Sequence, residues 1–421
     1  MNNGSGTERT AWIIPSGAWV RDEIGGAFRV ASDLAVQLAA RGYGVHYVAP
    51  SARVKKLESA SESGVTVWRY PRPPLSGGEH RWQNFTDHIN GSLAAVNAAI
   101  AQVPKDSRLV LNGHSLLQVR GAMDQTKRPF SRFTVCVPSP LVDEYLSQAP
   151  PSGLWGALRR RAVLKAFSSV EKSVYRASQQ VIGYSQFTLS LLESRYPREV
   201  KGKLRLCPAY VDTEKFSNDT MPRAEARRAI DQPAWKNADI YFFSLRRLVD
   251  RMGIDTLIHA AARLKAEIAR RDIPSRVRIV IGGDGPLRVP LETLADAEGV
   301  KDTVFFVGRV PEDKLALHYR AADCFILPTR SLECFGLIIL ESFACGTPVI
   351  ATPVGSIPEV MGPFGAEGLT RQATADALYE KMLDFVLQRI YTGPEFKLRE
   401  HAMGYEKKKN LLAVEEAVLG G

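Results

Sequence analysis

The apolar residues of this chain fall into short runs that alternate with longer amphipathic segments. In the first half, TAWIIPS at 10–16 and VHYVAPS at 45–51 read as buried strands, and the segment between them has the spacing of a helix that ends at glycine. This order predicts a βαβ unit. Further apolar runs predict strands at 107–115, 130–139, 178–185 and 203–211. Their alternation with helices is typical of a parallel sheet covered on both faces.

A second α/β series follows a break in this pattern at about 213–236, where polar residues and prolines accumulate. Five apolar runs then predict strands, at 238–248, 275–285, 302–310, 322–329 and 346–354. The predicted fold class is α/β, with two doubly wound, Rossmann-like domains facing across a cleft. Ligands of such folds bind outside the carboxyl ends of the strands, so we expect the site in that cleft.

The change of pattern also predicts domain boundaries. We place a first domain at 1–215, a linker at 216–236 and a second domain at 237–395, with a final helix at 396–421 that returns to the first domain. A length of 421 residues is enough for two domains of ordinary size.

Composition narrows the class of protein. No window approaches the roughly 20 consecutive apolar residues of a membrane span, and the first ten residues lack the plan of a secretory signal. The five cysteines are odd in number and form no CxxC pair, which argues against a disulfide framework or a zinc site. We therefore expect a soluble, cytoplasmic protein with reduced, mostly buried thiols.

The net charge of +10 directs attention to anionic partners. Residues 153–178 hold six Lys or Arg against one Glu, and Val163, Phe167, Val170 and Val174 recur there at helical spacing. Such a basic amphipathic helix is either a core helix with a solvated face or a contact with a membrane surface, which would make the protein peripheral on the inner membrane face. Without an aromatic and basic platform or a helix-turn-helix signal, we do not predict nucleic-acid binding.

The segment LECFGLIILESFACGTPVI at 332–350 carries the main candidate site. Glu333 lies in the loop after a predicted strand, and a helix follows. The first-turn amides of Gly336 and Leu337 would then form an anion site at the helix N-terminus. Glu341, further along the helix, could reach a ribose hydroxyl while Glu333 lies against a sugar ring. The alternative is that Glu333 is an ordinary loop carboxylate and Glu341 an exposed helix residue.

Two other segments suggest phosphate chemistry. SLRRLVDRMG at 244–253 places Arg246, Arg247 and Arg251 just after a strand and before a helix, which suits a diphosphate or, alternatively, is surface charge. GGDGP at 282–286 includes Gly283, and glycines there permit a close backbone approach to a ligand. Asp-Gly turns are common, so this second signal is weak.

The first half offers fewer candidates. Gly25 and Gly26 open the first helix without forming a GxGxxG fingerprint, so they are either a simple turn or a close approach to a phosphate or acceptor. His114 follows a predicted strand, where a lone histidine is more often structural than catalytic. The other histidines have no metal-binding spacing and no acidic cage is visible, so we predict neither a metal nor a cofactor.

Together these segments resemble the retaining glycosyltransferases of family 4, a GT-B group that includes bacterial mannosyl- and N-acetylglucosaminyltransferases and sucrose synthase. The resemblance spans nearly the whole chain and is most specific at 333–360. It implies an N-terminal domain that binds the acceptor and a C-terminal domain that binds the nucleotide sugar. It also implies roles for matched residues: Glu333 at the sugar hydroxyls, Glu341 on the ribose, Gly336 and Leu337 amides and Arg247 on the diphosphate, Gly26 near the phosphates, and Gly283 with the donor-binding set.

The chain departs from the family at two positions. Met252 stands where the family commonly has a lysine that neutralises the leaving diphosphate, and we hypothesise that Arg251 replaces that lysine. Many members also carry a cleft-facing histidine where this chain has Pro138 or Ser139. His114 is then the nearest candidate for a role beside the acceptor.

The resemblance implies an enzyme, a retaining hexosyltransferase of carbohydrate or antibiotic biosynthesis. Our first choice of donor is a UDP-sugar, in particular UDP-N-acetylglucosamine, and GDP-mannose is the alternative. An alternative of another class is an isomerase like the UDP-N-acetylglucosamine 2-epimerases. The acceptor hydroxyl would belong to a carbohydrate, an aminocyclitol or a lipid headgroup.

Residues of the first half bear on that choice of acceptor. Trp19, Trp82 and Trp155 could stack on a ring, although packing is the more common role of tryptophan. Carboxylates would suit a cationic acceptor, whereas the basic helix would suit an anionic headgroup. These carboxylates are Asp22, Glu23, Asp143 and Glu144.

Overall fold

The computed structural model describes residues 10–22, 26–72, 82–125, 127–148, 153–217, 221–230, 232–391 and 397–419. These residues divide into two compact units. The first unit contains the described residues of 1–146, 150–208 and 411–421, and the second those of 147–149 and 209–410.

The described residues of the first unit form an eight-stranded sheet. In chain order the strands are β1 (Thr10–Pro15), β2 (Gly44–Ser51), β3 (Glu58–Glu62), β4 (Val65–Pro71), β5 (Arg108–Gly113), β6 (Arg132–Val137), β7 (Gln180–Gly183) and β8 (Leu204–Leu206). They lie in the order β3-β4-β2-β1-β5-β6-β7-β8. In the register of the central strand, Ile13 lies beside His46 on one side and Leu111 on the other. The neighbouring strands are parallel except for the β3–β4 hairpin, which is antiparallel.

Helices cover this sheet and complete the first core. They are α1 (Gly26–Ala40), α2 (Trp82–Gln102), α3 (Leu116–Met123), α4 (Leu141–Leu146), α5 (Gly153–Ala177) and α6 (Gln186–Arg195). Buried side chains of the central strands, such as Ile13 and Leu111, pack with Val96 of α2, Val119 of α3 and Val174 of α5. This shared apolar core holds the helices against the sheet, as the predicted βαβ pattern requires, and so fixes the loops at the carboxyl edge of the sheet.

The described residues of the second unit form a five-stranded sheet that is parallel throughout. Its strands are β9 (Ile240–Leu245), β10 (Val277–Gly282), β11 (Val304–Gly308), β12 (Cys324–Leu327) and β13 (Val349–Ala351), in the order β11-β10-β9-β12-β13. All five predicted strands of this half are present. The chain order reverses between β9 and β12, so the switch point of a doubly wound sheet lies at the carboxyl ends of these two strands.

The second unit is covered by helices on both faces. They are α7 (Arg223–Ile230), α8 (Ile254–Arg270), α9 (Arg288–Ala297), α10 (Leu315–Ala321), α11 (Leu337–Ala344), α12 (Ile357–Met361), α13 (Gly365–Gly368), α14 (Ala375–Val386) and α15 (Leu398–Met403). The last helix, α16 (Lys407–Leu419), begins in this unit and continues into the first. Phe242 and Ile279 of the sheet pack in one core with Leu257 of α8 and Met382 of α14.

The division between the units differs from the predicted boundaries. It falls after residue 208, not after 215. Residues 223–235 were predicted to lie in a linker, but α7 packs on α10 and the buried Trp235 ring stacks on Tyr241 with 5.7 Å between centroids. The polar sequence of α7 misled the prediction, because a short helix with one buried face is polar over most of its residues.

The last helix contains the second crossing between the units. Residues 411–419 of α16 belong to the first unit, whereas α15 stays in the second. Arg132 at the start of β6 donates hydrogen bonds to the carbonyls of Ala417 and Val418, and the buried Glu415 lies 2.8 Å from the guanidinium of Arg41. These polar contacts fix the end of α16 on the first sheet.

The five cysteines are buried and free, as predicted from their number and spacing. Burial raises the pKa of the Cys136 thiol and of the Cys345 thiol to about 12. These thiols are therefore protonated at neutral pH and pack as small apolar side chains.

The basic helix α5 combines a packed part and an exposed part. Val170 and Val174 are buried, and the Phe167 ring stacks on Phe85 with 6.0 Å between centroids. The predicted apolar face is thus a core face over these turns. At the other end of the helix, Leu154 and Trp155 are exposed over 75% and 84% of their surfaces. No helix in the described part of the chain is long and apolar enough to span a bilayer.

Glu171 on the packed side of α5 is a buried carboxylate that anchors α4. It accepts a hydrogen bond of 2.7 Å from the backbone N–H of Leu141, the first residue of α4, and others from the hydroxyls of Tyr175 and Tyr196. Burial raises the pKa of Glu171 to about 7 despite these donors. The folded protein therefore holds a proton on Glu171 that the unfolded chain releases near the ordinary pKa of 4.5.

We expect Glu171→Gln to remove a pH dependence of stability. Between about pH 4.5 and 7 the folded state binds more protons than the unfolded state, so the free energy of unfolding falls as pH rises, by at most about 1.4 kcal/mol per pH unit from this group. Urea unfolding at pH 5 and pH 7.5 should show the wild type losing stability relative to the variant. A constant difference between the two proteins would contradict the raised pKa.

Candidate functional site

The candidate site lies at the carboxyl edge of the second sheet, beside the switch point. The loop after β9 covers residues 246–253 and the loop after β12 covers 328–336. Since β9 and β12 are neighbours and parallel, both loops leave the sheet at the same edge. This edge therefore brings together the arginine segment and the glutamate segment that the sequence singled out separately.

Close backbone contacts join these two loops. The amides of Arg330 and Ser331 donate to the carbonyl of Arg251, at 2.9 and 3.3 Å. Gly253 has a positive φ of 69°, and a Cβ at this position would lie 1.9 Å from the carbonyl oxygen of Pro328. Glycine is therefore required for the two loops to approach this closely.

Glu333 is held by a third loop, the one that follows β13. Its carbonyl oxygen accepts hydrogen bonds from the amide and the hydroxyl of Ser356, at 2.8 and 3.0 Å. A Cβ on Gly355, which has a φ of 62°, would lie 2.1 Å from that same oxygen. The backbone of Glu333 is thus fixed, and its side chain is directed by the contacts that follow.

Arg246 was grouped by its sequence position with Arg247 and Arg251 as a candidate for a diphosphate, and the structure gives it distinct contacts. It is the first residue after β9, and its Nη2 donates to Glu333 Oε2 at 2.8 Å and to Thr329 Oγ1 at 3.2 Å. The same guanidinium lies against the sulfur of Met252, with Nε at 3.1 Å and Nη2 at 2.6 Å. In the sequence, the feature that marks Arg246 is its position directly after β9, the strand that flanks the switch point.

Arg247 and Arg251, which were predicted to bind the diphosphate, occupy different environments. The Arg247 guanidinium is exposed and forms no ion pair with any described residue. The Arg251 guanidinium is half-buried, and its Nη1 donates to the carbonyl oxygen of Leu332 at 2.9 Å. Arg251 thus supports the residue just before Glu333, while the guanidinium of Arg246 contacts the sulfur of Met252.

The start of α11 lies beside the Glu333 side chain. Gly336 caps this helix in the left-handed region, with a φ of 83°, and a Cβ there would be 3.5 Å from Glu333 Cγ. Within the described part of the chain, the amides of Gly336 and Leu337 donate to no protein acceptor. These two N–H groups and the helix dipole form an environment suited to an anion.

Glu341 is buried in α11, with 6% of its surface exposed. Its Oε2 accepts a hydrogen bond of 2.8 Å from the hydroxyl of Tyr319 on α10. The alternative that Glu341 is an exposed helix residue is therefore wrong. A carboxylate held in this way has a fixed direction, as a ligand-binding group requires.

Gly283 acts on the backbone of the arginine segment. It has a φ of 117°, and a Cβ there would lie 1.8 Å from the carbonyl oxygen of Arg246. The amide of Arg246 donates to the carbonyl of Gly282 at 3.0 Å. The loop after β10 therefore sets the position of Arg246, whereas the predicted contact of Gly283 with a donor stays a prediction.

The first unit holds His114 in a closed hydrogen-bond network. Its Nε2 lies 2.7 Å from Asn112 Oδ1, and its Nδ1 lies 3.4 Å from the hydroxyl of Tyr184. Asn112 Nδ2 donates to Thr134 Oγ1, so its Oδ1 is the acceptor and Nε2 carries the proton. Burial lowers the pKa of His114 to about 3, so the ring is neutral at physiological pH. Its role beside the acceptor stays a prediction.

Other candidates in the first unit are also engaged or lie outside the described residues. Gly26 begins α1, while Gly25 and Glu23 lie outside the described residues, as does the Trp82 side chain. Trp19 is buried and donates to Glu62. Asp22 pairs with Arg69 at 2.7 Å, and Asp143 pairs with Arg195. Asp22 and Asp143 are therefore already neutralised, which weakens the prediction of a cationic acceptor.

The comparisons with known proteins show a likeness to one glycosyltransferase family over the second half of the chain. Residues 226–409 match the model of the glycosyl transferases group 1, which covers nearly all of the second unit. This match covers less than half of the chain, so the likeness to the family concerns that region. The predicted resemblance is thus confirmed for this region, which contains Glu333, Glu341 and the arginine segment.

Curated relatives of this family align with about half of the chain. A GDP-mannose-dependent alpha-(1-6)-phosphatidylinositol monomannoside mannosyltransferase of Mycobacterium tuberculosis is 31% identical over 236 residues, 53% of this chain and 57% of the relative. A D-inositol 3-phosphate glycosyltransferase of Frankia alni is 36% identical over 186 residues, 42% of this chain and 43% of the relative. The chain spans about half the length of the curated relatives it matches.

Solved structures resemble nearly the whole chain. A sucrose-phosphate synthase from Thermosynechococcus elongatus has a TM-score of 0.77 at 22% identity, covering 97% of this chain and 98% of that one. WaaG, a glycosyltransferase involved in lipopolysaccharide biosynthesis, has a TM-score of 0.69 at 16% identity, covering 97% of this chain and 100% of that one. At these identities the likeness concerns the fold, and it confirms the predicted GT-B class with two Rossmann-like units.

We expect Gly253→Ala to disrupt the joined loops, with Gly299→Ala as its matched control. Both glycines have a φ near 68°, but a Cβ at Gly299 would meet nothing within 4 Å. The control should lose about 1–2 kcal/mol of unfolding free energy from backbone strain alone. The Gly253 variant should lose about 1–3 kcal/mol more because its Cβ overlaps the Pro328 carbonyl. Equal losses in urea unfolding would contradict the close approach.

Proposed function

We propose that the protein transfers a hexose from a nucleoside diphosphate sugar to an acceptor hydroxyl, with retention of anomeric configuration. The observation that carries this proposal is the arrangement at the switch point of the second sheet. There the fixed Glu333 side chain lies beside the unpartnered amides at the start of α11. A carboxylate next to an anion site suits a ligand that carries sugar hydroxyls and a diphosphate together.

The mechanism rests on electrostatic stabilisation. The transition state has oxocarbenium character, and negative charge grows on the departing diphosphate. The exposed Arg247 guanidinium and the amides of Gly336 and Leu337 would stabilise that charge, because preorganised donors cost no reorganisation when the bond breaks. Glu333 would bind the sugar hydroxyls, and Glu341 the ribose.

In this proposal Arg251 positions the loop that carries Glu333. Its bond to the Leu332 carbonyl holds the residue before Glu333, which has a positive φ of 53° without being glycine. Such a conformation is costly and needs support from its surroundings. Arg251 would therefore position Glu333 and does not take the place of the missing lysine.

For the donor, we propose GDP-mannose. The mycobacterial mannosyltransferases similar to this chain are named as GDP-mannose-dependent, which supports it over the first choice from the sequence. UDP-N-acetylglucosamine is the second candidate, and a solved structure of similar fold binds UDP and glucose. No cofactor or metal is part of the proposal.

For the acceptor, we propose the hydroxyl of an anionic headgroup. The names of the curated relatives include a phosphatidylinositol mannoside and an inositol phosphate, and both acceptors carry a phosphate. In this chain the pairing of Asp22 with Arg69 and of Asp143 with Arg195 disfavours a cationic aminocyclitol.

The first turns of α5 support a peripheral contact with the membrane that would hold such an acceptor. The exposed residues Leu154, Trp155 and Leu158 lie at one end of the helix. Arg159 and Arg161 follow them directly and are also exposed. Apolar side chains followed by cations match an anionic bilayer surface, where the former enter the acyl boundary and the latter meet the phosphates.

We expect Arg247→Ala to reduce kcat by about 10²–10³, the usual cost of removing one electrostatic donor. Arg276→Ala is the matched control, because Arg276 is an exposed arginine at the opposite, amino edge of the same sheet. Product formation from GDP-mannose and from UDP-N-acetylglucosamine, with phosphatidylinositol as acceptor, would be followed by mass spectrometry. If the wild type forms product from neither GDP-mannose nor UDP-N-acetylglucosamine, the donor assignment is refuted. Full activity of the Arg247 variant would refute the role of Arg247.

We expect the double variant Leu154→Ser with Trp155→Ser to lose binding to anionic vesicles. Burying one such side chain contributes about 1.5–3 kcal/mol, so the partition coefficient should fall by about tenfold or more. Val289→Ser is the control, since Val289 is also exposed but lies on α9 of the second unit. Flotation with phosphatidylglycerol vesicles at low and high salt gives the measurement. Equal flotation of all three proteins would exclude this contact.

A further inference from the structure

We propose that Arg246 binds the diphosphate of the donor directly, and that Glu333 and Met252 hold its guanidinium in place until the donor arrives. This inference rests on the proposed function, because it assigns a second cation to the same anion site. The arginine segment already suggested a diphosphate for Arg246 in company with Arg247 and Arg251, whereas the family resemblance gave Arg246 no role of its own.

The backbone of Arg246 is fixed at the switch point. Its amide donates to the carbonyl of Gly282, and its own carbonyl oxygen lies where a Cβ of Gly283 would be. The preceding residue, Leu245, ends β9. Arg246 therefore starts from a rigid strand end, which fixes its side chain better than an exposed loop would.

The guanidinium is underpartnered for a side chain of which only 8% is exposed. A guanidinium has five N–H donors, and here Nε and Nη2 contact Glu333, Thr329 and the sulfur of Met252, whereas Nη1 donates to no described residue. A thioether is a weak acceptor. The site therefore leaves hydrogen-bonding capacity that a stronger acceptor could use.

A phosphoryl oxygen is such an acceptor. Hydrogen bonds between a guanidinium and a phosphate are charge-assisted and often bidentate, so they are stronger than a contact with sulfur. The phosphate would approach from the start of α11, because Glu333 is the common neighbour of Arg246 and Gly336. Arg246, Arg247 and the α11 amides would then surround the diphosphate with positive charge.

The ion pair with Glu333 supplies the counter-charge that the Arg246 guanidinium needs. An isolated buried charge is costly, and the 2.8 Å contact between Nη2 and Oε2 balances the charge of both groups. When the donor binds, its sugar hydroxyls donate to Glu333 and its phosphate accepts from Arg246. Glu333 then gains a second donor besides Arg246, and Arg246 gains a second acceptor besides Glu333.

The position of Met252 offers a direct test of the charge. Its sulfur lies 2.6 Å from Nη2, so a lysine at 252 would place an ammonium close to the site of the guanidinium. We compare wild type, Arg246→Gln, and Arg246→Gln combined with Met252→Lys. Isothermal titration with GDP and with UDP measures diphosphate binding, and guanosine and uridine serve as probes without phosphate.

We expect Arg246→Gln to weaken binding of the preferred nucleotide diphosphate by about 10- to 100-fold, the range for hydrogen bonds to a charged group. The matching nucleoside should bind as before. Adding Met252→Lys should restore the affinity for the diphosphate to within about tenfold of wild type. Arg276→Gln is the matched control, because Arg276 is an exposed arginine at the amino edge of the same sheet, and its diphosphate affinity should be retained.

Three results would overturn the inference. They are unchanged diphosphate affinity in Arg246→Gln, an equal loss in Arg276→Gln, and no recovery with Met252→Lys in a double variant whose thermal unfolding matches wild type. In each case wild type still binds the nucleotide, so the proposed function stands and only the role of Arg246 fails. If wild type binds neither GDP nor UDP, the proposed function itself fails and the inference fails with it.

Discussion

The candidate site depends on the close contact of backbone with backbone at the carboxyl edge of the second sheet. The loop after β12 is held on one side by the loop after β9 and on the other by the loop after β13. Gly253 and Gly355 lie at the two contacts, and a Cβ at either would overlap a carbonyl oxygen. The position of Glu333 therefore depends on its own contacts and equally on the lack of a side chain at Gly253 and Gly355.

In this arrangement the backbone contacts also fix where the arginine side chains begin, and nearby carboxylates then balance their charges. Gly283 allows the loop after β10 to approach Arg246, and the buried Arg246 guanidinium then needs a counter-charge, which Glu333 supplies. Arg330 is balanced in the same way by Asp250 and Asp255 at the same edge of the sheet. Arg247, by contrast, is exposed and has no ion pair within the described residues, so it is free for a ligand.

The two units illustrate different degrees of predictability. In the second unit all five strands were predicted, because continuous apolar runs of this kind are typical of a buried parallel sheet. In the first unit the β3–β4 hairpin was missed. The sequence of β3 is ESASE, which is polar and largely exposed, so hydrophobic patterning carries no signal there. The linker prediction failed for a related reason, since the helix α7 buries little of its surface.

The sequence by itself determined the fold class, the resemblance to a glycosyltransferase family, and the segments that form the site. Glycines, carboxylates and arginines at strand ends can be recognised from the sequence, because the apolar runs that predict the strands lie directly beside them. Tertiary structure decided which arginine faces which group. Arg246, Arg247 and Arg251 are close in sequence, yet one pairs with Glu333, one is exposed and one braces Leu332. Their roles depend on the direction in which each side chain leaves a turn, and that direction is set by neighbouring loops distant in sequence.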